Sequence, residues 1–433
     1  MLVALVNNQP GLKRAAAIGL LGLLALFGVG IFGAQLRSPE RIGRAFFGQD
    51  FVALYISSKL ILSGDGAAVF ESARRDEASS SFQQAWGSTC APWPAAYWPG
   101  FLLPVLPLTL FNPWLAYYLW TALSLAFFFF ALWRLARASG VSPWPFWLIG
   151  LGVFPVVSGL AQGQLHGWQF IALTEFWLAF RRGEDKSSGL WLSLQIVKPY
   201  NLPLLLLYLG WQRRWRTLAW FIGATLAWLG LSVVLAGGAE GVAAYIGLHM
   251  SQFVAIDALM NVPAMSNWRA LTLVWFSAWG PVFMTRITIA LSLMTVMLVI
   301  WDWHRKPERW HDLAPQPFLM LIAASLLVGY YTHAYSLVLL LAPALCLLAE
   351  LREMPNKDAR TWSLLLDGTL LWPSLLVLVD LLLAATMGFG LLVLPSQVWI
   401  LALVGIILLG VLAHPTAKGH ESTPSEALQL ASR

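Results

Sequence analysis

The sequence predicts an all-α membrane protein, a bundle of about 12 transmembrane or re-entrant helices with helical loops on its outer face. Three observations carry that prediction. Of 433 residues, 58% are hydrophobic and only 11% are charged. Apolar runs of about 20 residues recur, the length that crosses ~30 Å of hydrocarbon. Proline and glycine interrupt several of these runs, as happens where a broken helix lines a cavity.

The first run, Ala15–Leu36, is too long for a signal-peptide core, and no small-residue cleavage pattern follows closely. It reads as a retained anchor. A polar stretch at 37–96 forms a first outward loop. Apolar segments follow near 97–111, 113–137, 143–160, 167–182, 188–210 and 217–237. A second outward loop covers 238–278, alternating apolar and polar residues as a helix lying on the membrane does. Further apolar segments fall near 279–302, 315–329, 333–351, 364–387 and 391–413. Residues 1–413 then make one membrane domain, and 414–433 a polar cytoplasmic tail.

Sidedness follows from lysine and arginine, which concentrate in cytoplasmic loops. Clusters stand at Lys13/Arg14, Arg134/Arg137, Arg181/Arg182/Lys186, Arg213/Arg214/Arg216, Arg305/Lys306/Arg309, Arg352/Lys357/Arg360 and Lys418/Arg433. All of them face the cytoplasm together if two segments dip in and return. One is 97–111, broken by Pro99, Pro104 and Pro107; the other is 188–210, interrupted at Lys198-Pro199-Tyr200-Asn201-Leu202-Pro203. If every segment crosses instead, Arg134 and Arg181 face outward. Both arrangements keep the termini inside and place 37–96, 238–278, 330–332 and 388–390 outside. Re-entry also turns Ala161–Gly167 outward.

The net charge of +6 belongs to those loops and is no nucleic-acid footprint. Cys90 and Cys346 suggest neither a metal site nor a disulfide framework. The 24 tryptophans suit interfacial belts, and those near the loops also suit the walls of a carbohydrate site. There is no phosphate-binding Walker loop, no GxGxxG turn, no HExxH and no Asp-x-Asp motif, which argues against a soluble nucleotide-sugar domain.

Several polar residues stand out against this apolar background. Asp50 opens a short helical stretch in the first outward loop and reads either as a helix cap or as a general base. Gln164, between Gly163 and the Leu165-His166-Gly167 run, offers an amide to sugar hydroxyls or makes a polar helix turn. Lys198, mid-segment, costs roughly 2.5–3.5 kcal/mol on the milder insertion scales. It needs a phosphate, a wet cavity or an ion pair with Glu175. His333, in Tyr330-Tyr331-Thr332-His333-Ala334-Tyr335, is an acid, a base, a phosphate ligand or a structural residue. Arg269 is a second candidate for an anionic head group, beside His249, Gln252, Asp257 and Asn261 in the same outward loop. Asp367, Asp380 and Glu175 are intramembrane acids whose partners the sequence does not name.

The order of these elements resembles glycosyltransferase family 87 (GT87). The chain shows Asp50-Phe51-x-x-x-Tyr55-x-x-Ser58, then Tyr97-Trp98-Pro99-Gly100-Phe101-Leu102-Leu103-Pro104, then Gly163-Gln164. It continues with Val197-Lys198-Pro199, Arg213-Arg214-Trp215-Arg216 and Tyr331-Thr332-His333. The similarity runs from about residue 46 to 345. Where the family often shows Tyr-Pro-Pro, this chain has Tyr97-Trp98-Pro99; where it often shows paired histidines, this chain has Thr332-His333.

That resemblance implies a GT-C fold, which as usually drawn favours full crossings over re-entry. It implies an integral-membrane hexosyltransferase, such as a mannosyltransferase, in the cell (plasma) membrane with its active site outside the cytoplasm. The donor would be a polyprenyl-phosphate-linked sugar and the acceptor a lipid or glycan. No cofactor and no metal is expected, and membrane lipid rather than nucleic acid is the surrounding partner. The resemblance puts the catalytic acid on Asp50 and the histidine-bearing turn on His333. Substrate contacts fall to Gln164, Lys198, Arg269, Tyr331 and Tyr55. In this reading Lys198 or Arg269 neutralises the leaving phosphate, and Asp50 deprotonates an acceptor that attacks with inversion. The rival is a secondary transporter or lipid flippase, which also uses broken helices and buried acids. No matching pair of broken segments in two halves supports it.

Overall fold

The computed structural model describes residues 1–36, 48–86, 97–248, 265–352, 354, 356–377, 379 and 393–412. Among them the architecture is all-α, as the sequence predicts, with one isolated β-bridge between Met265 and His333. Cys90, His249, Gln252, Asp257, Asn261, Asp380 and the 414–433 tail lie outside the described residues.

The first run forms α1 (Leu12–Leu36), and the polar stretch after it contains α2 (Gln49–Leu62) and α3 (Ser72–Trp86). Next comes α4 (Pro113–Ala138), where the Asn112 side chain accepts a hydrogen bond from the Leu115 amide at 2.9 Å and Pro113 takes the first position. That pairing is a favoured helix start, because it satisfies an orphan donor and places proline where no donor is needed. Segment 143–160 splits into α5 (Pro143–Gly152) and α6 (Phe154–Gln162), bent by 67°. Pro155 explains the break, since it has no N–H to continue the ladder.

The central helix is α7 (His166–Arg181). Nearly every residue along it is buried, and it is apolar on all sides, as a helix surrounded by other helices must be. Its one acid, Glu175, accepts two hydrogen bonds from Arg134 of α4 at 2.8 and 3.0 Å. The partner of Glu175 is therefore Arg134, and the alternative of a Glu175–Lys198 pair falls away.

Segment 188–210 is a hairpin. It rises as α8 (Asp185–Ser193), turns through two 3-10 turns at Leu194–Val197 and Pro199–Asn201, and returns as α9 (Leu202–Trp211). Asp185 accepts a hydrogen bond from Thr217 at 2.7 Å, and the Arg214 guanidinium lies 3.9 Å from the same oxygen. The two feet of the hairpin thus stand at one end of the bundle, with Lys198 at its tip. Segment 97–111 forms no α-helix, only 3-10 turns at Pro99–Leu102 and Leu106–Leu110. It stays against α2, where the Tyr55 hydroxyl donates to the Phe111 carbonyl at 2.8 Å.

The rest runs as α10 (Trp215–Leu235), α11 (Trp268–Phe276), α12 (Pro281–Arg305), α13 (Pro315–Val328), α14 (Leu341–Glu350), α15 (Asn356–Leu370) and α16 (Val393–Leu412). Helices α4, α10 and α12 are long and apolar enough to cross a membrane, and the bent α5–α6 pair passes the same test. Asp367 of α15 accepts from the Met1 ammonium at 2.5 Å and from the Leu2 amide at 2.9 Å. The basic ends of α4, α7, α10 and α12 gather at the end where the hairpin has its feet. The tip of the hairpin and the start of α2 meet at the other.

Candidate active site

Two glycines create the meeting point. Gly163 ends α6 with φ +74°, a left-handed conformation that turns the chain sharply into α7. A Cβ there would lie 2.4 Å from the Cβ of Phe51, so no side chain fits between α6 and α2. Gly48 starts α2 with φ 62°, and its amide donates to the Ala161 carbonyl at 2.7 Å. The first turn of α2 is thereby docked on the last turn of α6. Asp50, from one, faces Gln164, just beyond the other.

Gln164 is buried and joins three groups. Its amide nitrogen donates to the Asp50 carboxylate. Its carbonyl oxygen accepts from the Lys198 ammonium at 2.6 Å and from the Tyr97 hydroxyl at 3.1 Å. An acid from α2 and a base from the hairpin tip are therefore held apart by a single amide. Asp50 is no helix cap: Gly48 holds that position, and Asp50 lies in the first turn, with its carboxylate on Gln164. The helix start favours a negative charge there. Burial outweighs this and raises the Asp50 carboxyl above the usual carboxylate range, against the pull of Lys198 and the Gln164 hydrogen bond.

Lys198 stands among aromatic rings. Its ammonium lies 4.7 Å from the centre of the Tyr335 ring and 5.5 Å from that of Tyr97. Such contacts replace part of the lost hydration of a cation. The backbone behind it is fixed by amides. Gln169 donates to the Lys198 carbonyl at 3.4 Å and accepts from the Tyr200 hydroxyl at 3.2 Å. Gln195 donates to the Gln169 carbonyl at 2.7 Å and accepts from Asn201 at 3.0 Å.

The third wall is the loop after α13. His333 pairs with Met265 in the isolated bridge, and the Ser266 amide donates to the Thr332 carbonyl at 2.7 Å. The His333 ring lies 5.3 Å from Tyr335 and 5.5 Å from Tyr331. Burial first, and then nearby Lys198, lowers its pKa to about 4, so the ring is neutral at neutral pH. Asn267 caps α11 by accepting from the Ala270 amide at 2.9 Å and ties that helix to the loop by donating to the Gly329 carbonyl at 2.9 Å. Arg269, in the first turn of α11, stacks 4.3 Å from the Tyr330 ring. Its charge reaches the hydroxyl of Tyr331, which has no hydrogen-bond partner among the described residues.

Asp50, Gln164, Lys198, His333 and Tyr331 thus meet at one end of the bundle, with Arg269 beside them. Tyr55 does not join them. It lies five residues from Asp50 on α2, which rotates it by about 140° around the helix. It is buried against Phe51 and Phe82, and its hydroxyl is taken by the Phe111 carbonyl. Tyr55, expected among the substrate contacts, here fastens α2 to the 97–111 turns. Tyr97, Tyr335 and His166 are the members that sequence reasoning passed over. Each stands in a stretch already singled out, Tyr97 at the head of the Pro-rich run and His166 two residues after Gln164. Among the described residues no group of three or more His, Cys, Asp or Glu side chains is placed to hold a metal ion.

A half-buried carboxylate, a caged ammonium and a rim of tyrosines suit transfer of a polyhydroxyl group away from an anion. The chain's sequence agrees with that chemistry. Residues 96–328 match the model of glycosyltransferase family 87, and the chain belongs to that family. It is a membrane glycosyltransferase. The matched region contains Gln164, Lys198 and Arg269, while Asp50 and His333 flank it on either side. No curated protein and no solved structure matches the chain.

Proposed function

We propose that this glycosyltransferase moves a hexose, mannose being the leading case, from a polyprenyl-phosphate carrier to a lipid or glycan acceptor. The observation that carries the reading is the Asp50–Gln164–Lys198 bridge, a carboxylate suited to act as base and a cation suited to meet a phosphate, joined through one amide. The acceptor hydroxyl gives its proton to the Asp50 carboxylate. Its oxygen bonds to the anomeric carbon from the face opposite the phosphate, the bond from that carbon to the phosphate oxygen breaks, and polyprenyl phosphate leaves. Configuration at the anomeric carbon inverts. Lys198 offsets the charge on the departing phosphate, with Arg269 as the second cation. Neutral His333 and the Tyr331 hydroxyl hydrogen-bond the phosphate or the sugar.

In this proposal the chain sits in the plasma membrane with the site outside the cytoplasm. Support comes from the basic residues collected at the opposite end, since such ends favour the cytoplasm. The test uses radiolabelled polyprenyl-phosphate-mannose in detergent micelles with a panel of lipid acceptors. Wild type should consume the donor. If it consumes none of a series of polyprenyl-phosphate hexoses, yet moves a solute across proteoliposomes, the donor class is wrong.

A further inference from the structure

His166 belongs to the cluster but has no role in the scheme above. It begins α7 immediately past the Gly163 turn and is 4% exposed. Neither ring nitrogen has a hydrogen-bond partner among the described residues. Its ring packs 4.4 Å from that of Tyr335, the same tyrosine that covers Lys198 and His333. Gly159 stands directly behind it: a Cβ there would come within 3.5 Å of the imidazole. His166 and Gln164 are the two polar side chains lining a cavity of about 10 Å³ otherwise walled by Phe128, Val156, Leu160 and Val338. That space holds at most one water-sized group.

A buried imidazole with both nitrogens idle is costly, because it has given up its bonds to water and gained none. An apolar side chain of similar size would fill the place with no such cost. We infer that His166 is a sugar-binding residue whose missing hydrogen-bond partner is a hydroxyl of the transferred hexose. A neutral imidazole offers one donor and one acceptor, as a hydroxyl does, so the two can satisfy each other. The hydroxyl reaches it at the small cavity that His166 shares with Gln164, whose carbonyl oxygen already meets Lys198. The inference rests on the sugar-transfer reading above and deepens it by naming the group that reads the sugar.

The test compares wild type with His166→Leu and His166→Gln, using the polyprenyl-phosphate hexose and its singly deoxygenated analogues. His166→Leu should raise the apparent melting temperature of the ligand-free protein while cutting kcat/KM for the full sugar at least tenfold. His166→Gln, which keeps a donor and an acceptor, should recover part of that activity. One deoxy analogue should be poor with wild type yet no worse than the full sugar with His166→Leu, because the same contact is absent in both. A lower melting temperature in His166→Leu would reveal a structural partner and overturn the inference. So would wild-type kinetics in that variant, or losses that simply multiply for every deoxy position. Donor consumption by wild type separates these results from failure of the sugar-transfer reading, which would leave wild type itself inactive.

Discussion

The bundle buries ionic groups at both ends, and the two clusters are built on opposite principles. Away from the site, Asp302 in the last turn of α12 is fully buried and enclosed. Trp310 donates to it at 2.9 Å, and Lys306 and Arg309 lie 3.5 and 3.8 Å from its oxygens. The two cations go on to bond the carbonyls of Val411 at 2.9 Å and Gly410 at 3.0 Å, which clamps α16 to the end of α12. At the site, Asp50 and Lys198 do not touch each other; Gln164 stands between them, and both are half-buried. Among the described residues the Tyr331 hydroxyl and both His166 nitrogens find no hydrogen-bond partner. The first cluster sets its acid against two cations and clamps two helices, although Asp302 Oδ1 accepts no hydrogen bond among the described residues. The second separates acid from cation by an amide and leaves several donors and acceptors unused, the arrangement that a ligand can complete.

The strongest test of this contrast is Asp50→Asn. Loss of a general base should slow sugar transfer by roughly 10²–10⁴. Stability should not fall. Because the folded protein raises the Asp50 pKa, its charged form is the disfavoured one. Stability from this group is full below its unfolded pKa of about 3.9 and is lost as pH rises through the folded value. At pH 7 the neutral Asn variant should therefore melt no lower than wild type. The same shift predicts that wild-type activity falls on acidification at a pH above the ordinary carboxylate range, as the base becomes protonated. Normal turnover by Asp50→Asn would return the residue to a structural role.

Asp302→Ala should behave in the reverse way. Removing one partner of a buried ionic cluster costs about 3–5 kcal/mol, since the remaining charges stay buried and uncompensated. Thermal unfolding in detergent should show a large loss, while the protein that remains folded keeps its kcat. If the variant were stable but inactive, the two ends would not differ in kind.

Much of this organisation is legible in the sequence, and the parts that are not share a physical cause. The segments expected at 113–137, 217–237 and 279–302 appear as α4, α10 and α12, because run length acts locally, as do the prolines that start α4 and α12. The hairpin at 188–210 is signalled by Pro199 and Pro203, which follow a lysine in an apolar run. What the sequence hides is contact across distance. Gln164 lies more than a hundred residues from Asp50 and joins it only because Gly48 and Gly163 let α2 and α6 touch. Glu175 finds Arg134, not Lys198, because the partner is decided by which helices pack. Asp302 was invisible for the opposite reason: it sits among ordinary basic loop residues and looks exposed until α16 covers it.

Lys198 tests the charge across the amide bridge. Lys198→Met keeps most of the volume and removes the cation, so donor use should fall severely. Lys198→Arg should be partly active, because arginine retains charge but brings a planar, bulkier group into the space between Tyr97 and Tyr335. The effect should appear mainly with the phosphate-linked donor rather than in acceptor KM. Equal activity of the Met and Arg variants would separate Lys198 from the phosphate.

The smallest expected effect belongs to Tyr55→Phe, and it sharpens the comparison from within a single helix. Tyr55 shares its motif with Asp50 but lies on another face of α2, where its hydroxyl serves the Phe111 carbonyl. Deleting the hydroxyl removes one hydrogen bond worth about 0.5–1.5 kcal/mol and leaves the ring packed between Phe51 and Phe82. Melting temperature should drop slightly, with kcat and both KM values unchanged. The logic is that of the closed cluster: an internally satisfied group contributes to stability and not to transfer. A large fall in kcat without a fall in melting temperature would mean that the hydroxyl leaves Phe111 for the substrate during turnover. Tyr55 would then belong with Tyr331 among the groups that a ligand completes.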